Sequence, residues 1–390
     1  MRYHSGFRTV RAALDHLCTR GVLRNTGRRY MTVCHRSRRP SLKFAVLIAS
    51  WYEGPLRFVA EYEQEFMIHL DTESARRNVG IEVLRFEDVG DGRVIVYDSL
   101  KAHEQNLRAR QDINGFILPV SFVGCLNPGI LTELHSSGKP VVIIDEIGGW
   151  EAPSFIARGK RILFLRAARD RSSACAVARA LMGCGHRNFA FFSLFYREHW
   201  PQVCFDGLAE TIARAGDGYS LTPFLIEGTQ TSDEYVRAGW DRCPDLPVKN
   251  WFQAWRKNAS QAFVQQLTPH FMWDLDQQMA YAEMRHRMQD LCRRAASDKS
   301  ITCWISPDSD GAWSMNDYIV EHGLDVSMIA FGWSPEITKN RIASWDLNTA
   351  AAARASIEFL TSPGRKLPGQ KGMELRIEGM LAMRESLKTI

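Results

Sequence analysis

The sequence predicts an α/β protein with doubly wound parallel sheets, preceded by a short basic segment that forms a helix and a hairpin. Apolar strand patterns alternate with helix-length stretches from residue 43 onward, and this cycle runs twice along the chain. Arginine is concentrated in the first forty residues. With 390 residues, 45% of them hydrophobic, the chain is long enough for two or three domains with substantial cores.

Composition excludes several classes of protein. No apolar run approaches the roughly 18 residues of a membrane span. Residues 1–29 contain no apolar core of a secretory signal. The nine cysteines include no Cys-x-x-Cys pair, and their odd number is typical of a reducing compartment. We therefore expect a cytoplasmic protein without a membrane partner.

The charge distribution is uneven. Residues 1–40 hold ten arginines and one acid, Asp15, for a net charge of +9. The other 350 residues hold 39 basic and 43 acidic side chains, so they are mildly acidic. A basic arm on an acidic body indicates a polyanionic partner for the arm, although a solvated tail or an organelle transit peptide would show the same charge.

The basic arm also has the pattern of folded structure. Its apolar residues recur at helical spacing, at Val10, Ala13, Leu14 and Leu17. Gly21 follows where a left-handed residue would end the helix. Residues 25–27 predict a turn, and residues 28–33 predict a short strand that completes a basic hairpin.

This arm resembles the winged helix-turn-helix of the GntR regulator family. The residues that carry the resemblance are Thr9–Leu14, Leu17, Gly21–Leu23 and Gly27-Arg28. The resemblance implies a recognition helix in the major groove of duplex DNA and a wing formed by the hairpin. The residues expected to contact an operator are Arg8, Thr9, Arg11, Arg28 and Arg29. We assign residues 1–36 to this partial winged helix and residues 37–42 to a linker.

A complete winged helix needs further helices to cover the apolar stripe of its recognition helix. Only four residues precede Ser5 in this sequence, and a lone helix of about 15 residues is marginal in water. We expect either that the native chain begins upstream of Met1 or that this protein has lost half of its DNA-binding domain.

The second region, residues 43–390, is predicted to form two doubly wound parallel sheets from repeated βαβ units. Strand patterns fall at 44–48, 81–86, 113–119, 140–145, 161–165, 188–193, 221–226, 300–305 and 326–331. Helix patterns fall at 56–77, 131–137, 172–182, 202–215, 310–322 and 348–360. Residues 228–276 are rich in tryptophan, and we interpret them as an insertion that covers the ligand cleft or a dimer surface, or that only packs locally.

This region resembles the periplasmic-binding-protein-like effector domain of the lac/galactose repressor family. The residues that carry the resemblance are Gly138–Asp145, Gly185–Ala190, Pro307-Asp308, Gly323–Phe331 and Arg384–Ser386. The combination of a GntR-type DNA-binding segment with this effector domain resembles arabinose-repressor-type regulators. The resemblance implies a repressor that forms a homodimer and binds a small molecule, often a sugar, between its two lobes.

The sequence departs from that family where polar groups are expected to contact the sugar. Cys204 stands at the position of the family's arginine, and Pro307 replaces the asparagine of an Asn-Asp pair. Residues 330–333 read Ala-Phe-Gly-Trp in place of Gly-Phe-Asp-Asp. Either the ligand is not a typical small sugar, or other side chains hold it.

Other candidates for ligand contacts come from strand ends, where folds of this kind bind ligands. They are Trp51, Tyr52, Asp145, Asp308 and Trp333. Aromatic rings stack on the apolar face of a sugar, and carboxylates accept hydrogen bonds from hydroxyls. Alternatively, the two tryptophans pack at a hinge and Asp308 caps a helix.

An enzyme is the main alternative class, but the sequence lacks its usual motifs. There is no Gly-x-Ser-x-Gly elbow, no P-loop, no His-Glu-x-x-His helix and no Gly-x-Gly-x-x-Gly after a strand. Four residues close in sequence have the chemistry of zinc ligands, namely Cys184, His186, His199 and Cys204. The family resemblance already accounts for the first two, so we expect no metal, no cofactor and no catalysis. A binding protein without DNA-binding activity is the other alternative.

Overall fold

The computed structural model describes residues 23–25, 30–32, 42–49, 61–90, 93–98, 104–120, 128–146, 161–166, 169–226, 237–239, 282–332 and 334–390. The strands are β1 (Leu23–Asn25), β2 (Tyr30–Thr32), β3 (Lys43–Ala49), β4 (Gly80–Gly90), β5 (Arg93–Asp98), β6 (Glu104–Gln105), β7 (Gly115–Val120), β8 (Val141–Asp145), β9 (Ile162–Arg166), β10 (Asn188–Ser193), β11 (Ser220–Leu225), β12 (Cys303–Ser306), β13 (Ser327–Phe331), β14 (Ala343–Asp346), β15 (Glu374–Arg376) and β16 (Met380–Ala382). The helices are α1 (Glu61–Arg77), α2 (Pro128–Ser136), α3 (Arg171–Gly183), α4 (His199–Arg214), α5 (282–296), α6 (Ser309–His322), α7 (Pro335–Lys339) and α8 (Thr349–Thr361).

The first lobe is a sheet with helices on both faces. Its strand order is β15-β9-β8-β7-β3-β4-β5-β6, and the strands from β15 to β4 are parallel. Strands β7 and β8 are buried along their whole length, as continuous apolar runs in a parallel sheet predict. Helices α1 and α8 share the core on one face, and α2 packs on the other face.

The second lobe repeats this plan. Its strand order is β11-β10-β12-β13-β14-β16, and all pairs are parallel except the last. Helices α3 and α4 cover one face, and α5 and α6 cover the other. The prediction of doubly wound parallel sheets is confirmed, with the difference that each sheet ends in antiparallel strands.

The chain passes between the lobes three times. It leaves the first lobe between β9 and α3, returns to it between β14 and α8, and leaves again between β15 and β16. Trp345 lies at these crossings and packs against the cores of both lobes. The crossings join the lobes beside the carboxyl ends of β8 and β12, where Arg169 hydrogen bonds to Glu146 and to the Pro307 carbonyl, and we call this boundary between the lobes the cleft.

The amino-terminal hairpin is also present. Strands β1 and β2 pair antiparallel, with Leu23 opposite Thr32 and Asn25 opposite Tyr30. Strand β2 lies within the predicted strand at 28–33, whereas residue 25 of the predicted turn belongs to β1 and residues 26–27 lie outside the described residues. The predicted recognition helix and the five predicted DNA contacts lie outside the described residues, as does almost all of the predicted insertion at 228–276.

Candidate functional site

Three strand ends and one inter-lobe crossing converge in the cleft. Glu146 directly follows β8 in the first lobe, while Pro307 and Gly332 directly follow β12 and β13 in the second lobe. Arg169 lies on the crossing between β9 and α3. Because the carboxyl ends of parallel strands form the ligand-binding edge of an open α/β sheet, this is where a ligand is expected.

Arg169 connects the two lobes through its guanidinium. Its Nη2 donates to Glu146 Oε1 at 2.9 Å, and its Nη1 donates to the carbonyl oxygen of Pro307 at 3.3 Å. Its backbone N–H also donates to the Glu146 carbonyl. The Arg169 side chain is 14% exposed and that of Glu146 is 9% exposed, so this ion pair is largely shielded from water.

The surroundings of Arg169 fix the place of the guanidinium. Its central carbon lies 5.4 Å from the centre of the Trp200 ring, within the range of a cation–π contact. A Cβ at Gly332, whose φ is 109°, would lie 3.1 Å from Arg169 Nη2. Glycine at this position therefore leaves room for the guanidinium over the end of β13.

Cys204 lies next to the backbone carbonyl of Arg169. It is fully buried on α4, its Sγ is 3.9 Å from the carbonyl oxygen of Arg169, and burial raises the pKa of its thiol to about 12. The thiol is therefore neutral near pH 7 and contributes no charge to the cleft. The positive charge at this edge of the second lobe is supplied by Arg169, on the crossing between β9 and α3, and not by residue 204 of α4.

Asp308 caps a helix, which is one of the two roles that the sequence left as alternatives, and its role as a ligand contact stays a prediction. Its Oδ1 accepts from the backbone N–H of Gly311 and caps α6, as predicted for a helix N-cap. Its Oδ2 is buried and has no hydrogen-bond partner among the described residues. Burial raises the pKa of Asp308, and the nearby charge of Arg169 opposes that rise.

Asp145 ends β8, as predicted, but its carboxylate does not face open solvent. The residue is 0% exposed, and Arg166 Nη1 donates to its Oδ2. Arg166 also donates to Glu374 Oε1 at 3.3 Å. A ligand that contacts Asp145 directly would have to open this ion pair, whereas the neighbouring Glu146 already lies at the cleft.

Tyr62, near the start of α1, belongs to the hydrophobic core of the first lobe. It is 5% exposed, and its hydroxyl has no hydrogen-bond partner among the described residues. Burial raises the pKa of Tyr62, and the charges of Glu146 and Asp145 raise it further. Its phenol is therefore neutral near pH 7, and its buried hydroxyl lies within electrostatic range of Glu146.

Three of the predicted contacts, Trp51, Tyr52 and Trp333, lie outside the described residues and stay predictions. Sequence reasoning missed Arg169, although a signal was present. Asp170 and Ser173 form a capping box at the start of α3, and Arg169 comes directly before it. The same rule that selected other strand ends would have selected this residue.

The described residues show neither a cluster of metal-ligating side chains nor a membrane-spanning helix. No group of three His, Cys, Asp or Glu side chains in the described ranges is arranged to hold a metal ion. The buried His186 has its Nδ1 3.0 Å from the Thr302 hydroxyl and its Nε2 3.0 Å from the Lys388 carbonyl. None of the described helices is both long and apolar enough to cross a membrane.

The two lobes, their three crossings and the cleft define a periplasmic-binding-protein-like fold. The LacI family transcriptional regulator from Enterococcus faecium, solved with bound ribose, is similar over 89% of this chain and 99% of that chain, with 11% identity and a TM-score of 0.52. A LacI family regulator from Bifidobacterium animalis subsp. lactis is similar over 89% of this chain and 97% of that chain, with 12% identity and a TM-score of 0.50. The complex of the transcriptional regulator CelR with cellobiose is similar over 98% of this chain and 92% of that chain, with 13% identity and a TM-score of 0.50. No protein-family profile and no curated protein matches the sequence.

Proposed function

We propose that this protein is a DNA-binding transcriptional regulator of the cytoplasm, a repressor whose affinity for its operator is controlled by a sugar-like molecule bound between the lobes. The observation that carries the proposal is the attachment of an arginine-rich amino-terminal segment, which contains an antiparallel hairpin, to a two-lobed domain with a polar cleft. The regulator acts as a homodimer and has no catalytic activity.

The amino-terminal segment supports DNA binding through its charge and its pattern. Ten arginines in forty residues neutralise phosphates, and a helix followed by a basic hairpin fits a groove and the adjacent backbone. Arg8, Thr9 and Arg11 contact base edges in this proposal. Arg28 and Arg29, which precede β2, contact phosphates.

The cleft supports binding of a small polar molecule. Glu146 follows β8 of the first lobe, Asp308 lies after β12 of the second, and Arg169 hydrogen bonds to Glu146 and to the Pro307 carbonyl. The similar structures with ribose and with cellobiose support a carbohydrate as the ligand. Trp51, Tyr52 and Trp333 supply stacking surfaces in this proposal, and Asp145 acts by holding Arg166.

Fluorescence anisotropy with the promoter DNA of the protein's own gene tests the DNA-binding part. We expect binding that weakens steeply between 50 and 200 mM salt, because phosphate neutralisation releases counterions. The variant R11A reduces the preference for the promoter over random DNA, while R28A weakens both equally. The exposed Arg341 provides the control variant R341A, with unchanged binding. Salt-independent binding, or none at low salt, contradicts the proposal.

A thermal-shift screen with neutral sugars tests the ligand-binding part. A sugar that binds only the folded state raises the melting temperature. The same sugar should then change promoter affinity, with release of DNA expected for a repressor that is relieved by its ligand. Sugar binding in a protein that never binds DNA would identify a binding protein instead of a regulator.

A further inference from the structure

The segments that lead into the parallel strands of the first lobe carry an excess of basic residues. Because these strands run in the same direction, their amino ends meet at one end of the sheet, away from the cleft. We define the amino end of the lobe as residues 42–43, 76–80, 106–115, 135–141, 161–162 and 361–374, each of which reaches the first residue of a parallel strand. These segments contain ten Lys or Arg and only two Asp or Glu, so the amino end of the lobe is positively charged.

Half of these cations are neutralised within the protein. The five that precede or begin β3, β4 and β7 form ion pairs with carboxylates of the first lobe, namely Lys43, Arg76, Arg77, Arg108 and Arg110. The other five precede β8, β9 and β15, which are neighbours on one side of the sheet. One of them, Lys139, is partly buried and donates to a backbone carbonyl.

Four cations remain at this side of the amino end, and we call them the basic patch: Arg161, Arg365, Lys366 and Lys371. All four are exposed, and none forms an ion pair with another residue in the described part of the chain. The nearby acid Glu374 is paired with Arg166 instead. The basic patch therefore presents positive charge to solvent.

The basic patch is held in place by the fold. Three of its cations lie on the loop between α8 and β15, where Leu367 is 5% exposed and packs in the core of the first lobe. The backbone N–H of Leu367 donates to Gln370 Oε1 at 2.9 Å, which closes a turn within the loop. The fourth cation, Arg161, donates from Nη1 to the Gly138 carbonyl at 3.0 Å. Cations that are already ordered lose less conformational freedom when they bind a partner.

The arginine-rich amino-terminal segment joins the protein at the same end of the lobe. The Leu42 carbonyl accepts from the backbone N–H of Gly80 at 2.9 Å, and β3 begins at Lys43. In the order β15-β9-β8-β7-β3, the start of β3 is two strands from β8 and four from β15. These separations are about 10 and 19 Å at about 4.8 Å per strand. Since a duplex carries one negative charge about every 1.7 Å along its axis, DNA bound by the amino-terminal segment has many phosphates within this distance.

We propose that the basic patch is a second DNA-binding surface, which contacts phosphates of the duplex next to the site bound by the amino-terminal segment. This inference rests on the proposed function and adds an interface on the effector domain itself. Duplex DNA fits better than an acidic protein as the partner, because the patch lies at the end of the lobe where the arginine-rich segment enters. Contacts to phosphates add affinity without sequence preference.

The salt dependence of DNA binding tests this inference. The variant R161Q/R365Q/K366Q/K371Q removes the basic patch from the full chain, and fluorescence anisotropy measures its binding to the promoter of the protein's own gene and to random DNA. Each lost phosphate contact lowers the slope of log K against log salt by about 0.9. We expect the slope to fall by at least about two and the affinity at low salt to fall at least about tenfold, equally for both DNAs.

A matched variant controls for net charge. R179Q/R187Q/K299Q/K339Q removes four cations from the second lobe that are also exposed and without ion pairs in the described part of the chain. Both variants change the net charge equally, so a general effect of charge on association would appear in both. The control should change the slope by less than about 0.5.

Melting temperatures check that both variants fold. If the patch variant melts below wild type, the double variant R365Q/K366Q replaces it. Both of its substitutions lie on the exposed part of the loop between α8 and β15. Its expected loss of slope is about one to two.

The outcomes separate this inference from the proposed function. If the wild type binds DNA but the patch variant keeps its slope and affinity, the inference is wrong, the proposed function stands, and an acidic protein becomes the partner to test. Equal losses in the patch and control variants also overturn the inference, because they show an effect of net charge alone. If the wild type binds no duplex at low salt, the DNA-binding function fails, and the inference fails with it.

Discussion

Both lobes consist of a mainly parallel sheet covered by helices on its two faces. They differ in how the acidic residue at a strand end is paired, which is Asp145 in the first lobe and Asp308 in the second. In the first lobe, Asp145 is fully buried at the end of β8 and is paired with Arg166. In the second lobe, Asp308 is buried after β12, and one of its oxygens has no hydrogen-bond partner among the described residues. Both acids directly follow or end a parallel strand in the sequence, yet Asp145 is paired with an arginine and Asp308 keeps one oxygen without a hydrogen-bond partner among the described residues. Strand position alone therefore does not identify a binding residue.

Removing the cation beside Asp145 is expected to have the largest effect on stability. The variant R166M leaves a fully buried carboxylate without its arginine, which should lower the free energy of unfolding by about 3 kcal/mol. Urea denaturation measures the change. The control is R341M, because Arg341 and Glu385 are both mostly exposed, and it should change stability by less than about 0.5 kcal/mol. Equal effects of the two variants would show that burial does not distinguish these ion pairs.

A third buried acid, Glu65, extends the comparison of acidic residues to the pH dependence of stability. Burial raises its pKa from 4.5 to about 7, a hydrogen bond with the Thr349 side chain opposes the rise, and the charge of Asp346 adds to it. Because the pKa in the folded state lies above that in the unfolded state, ionised Glu65 destabilises the protein, and the penalty grows from about pH 4.5 to pH 7 and is constant above it. The variant E65Q should therefore be more stable than wild type by roughly 1–3 kcal/mol at pH 8 and equal to it below about pH 4.5. Denaturation curves from pH 4 to 8 provide the measurement, and a pH-independent difference would refute the assignment.

Replacing aspartate by asparagine at the two strand ends should change the free energy of unfolding in opposite directions. D145N weakens a charge-assisted bond with Arg166 and should destabilise the unliganded protein by about 1–2 kcal/mol. D308N removes a buried charge, keeps the helix cap and should stabilise the protein by about 1 kcal/mol near neutral pH. Since burial raises the pKa of Asp308 above 3.8, the gain from D308N should disappear as the pH falls below about 4. Melting temperatures of both variants at pH 7 and pH 4 test the sign, and a shared sign would remove the distinction between the lobes.

The sequence by itself determined the elements of the fold. Short continuous apolar runs such as Phe44–Ile48 and Val141–Ile144 favour strands buried on both faces, because each residue of a parallel strand contacts helices on one side or the other. Helix α3 was predicted within one residue at each end, since its capping box and apolar spacing are local signals. The short strands β14, β15 and β16 were missed because three or four residues carry no detectable period.

Only the tertiary structure decided which polar side chains are paired with other residues of the protein and which are not. Whether a carboxylate is paired depends on residues distant in sequence, as with Asp145 and Arg166, or Glu146 and Arg169. The crossing between the lobes places Arg169 beside Pro307, 138 positions away in the chain. Periodicity and capping report on neighbours within a few positions, whereas hydrogen bonds and ion pairs at the cleft depend on how three crossings align two lobes. In that alignment Asp145 is paired, whereas Arg169 Nε and Asp308 Oδ2 are among the buried polar atoms that have no hydrogen-bond partner in the described part of the chain.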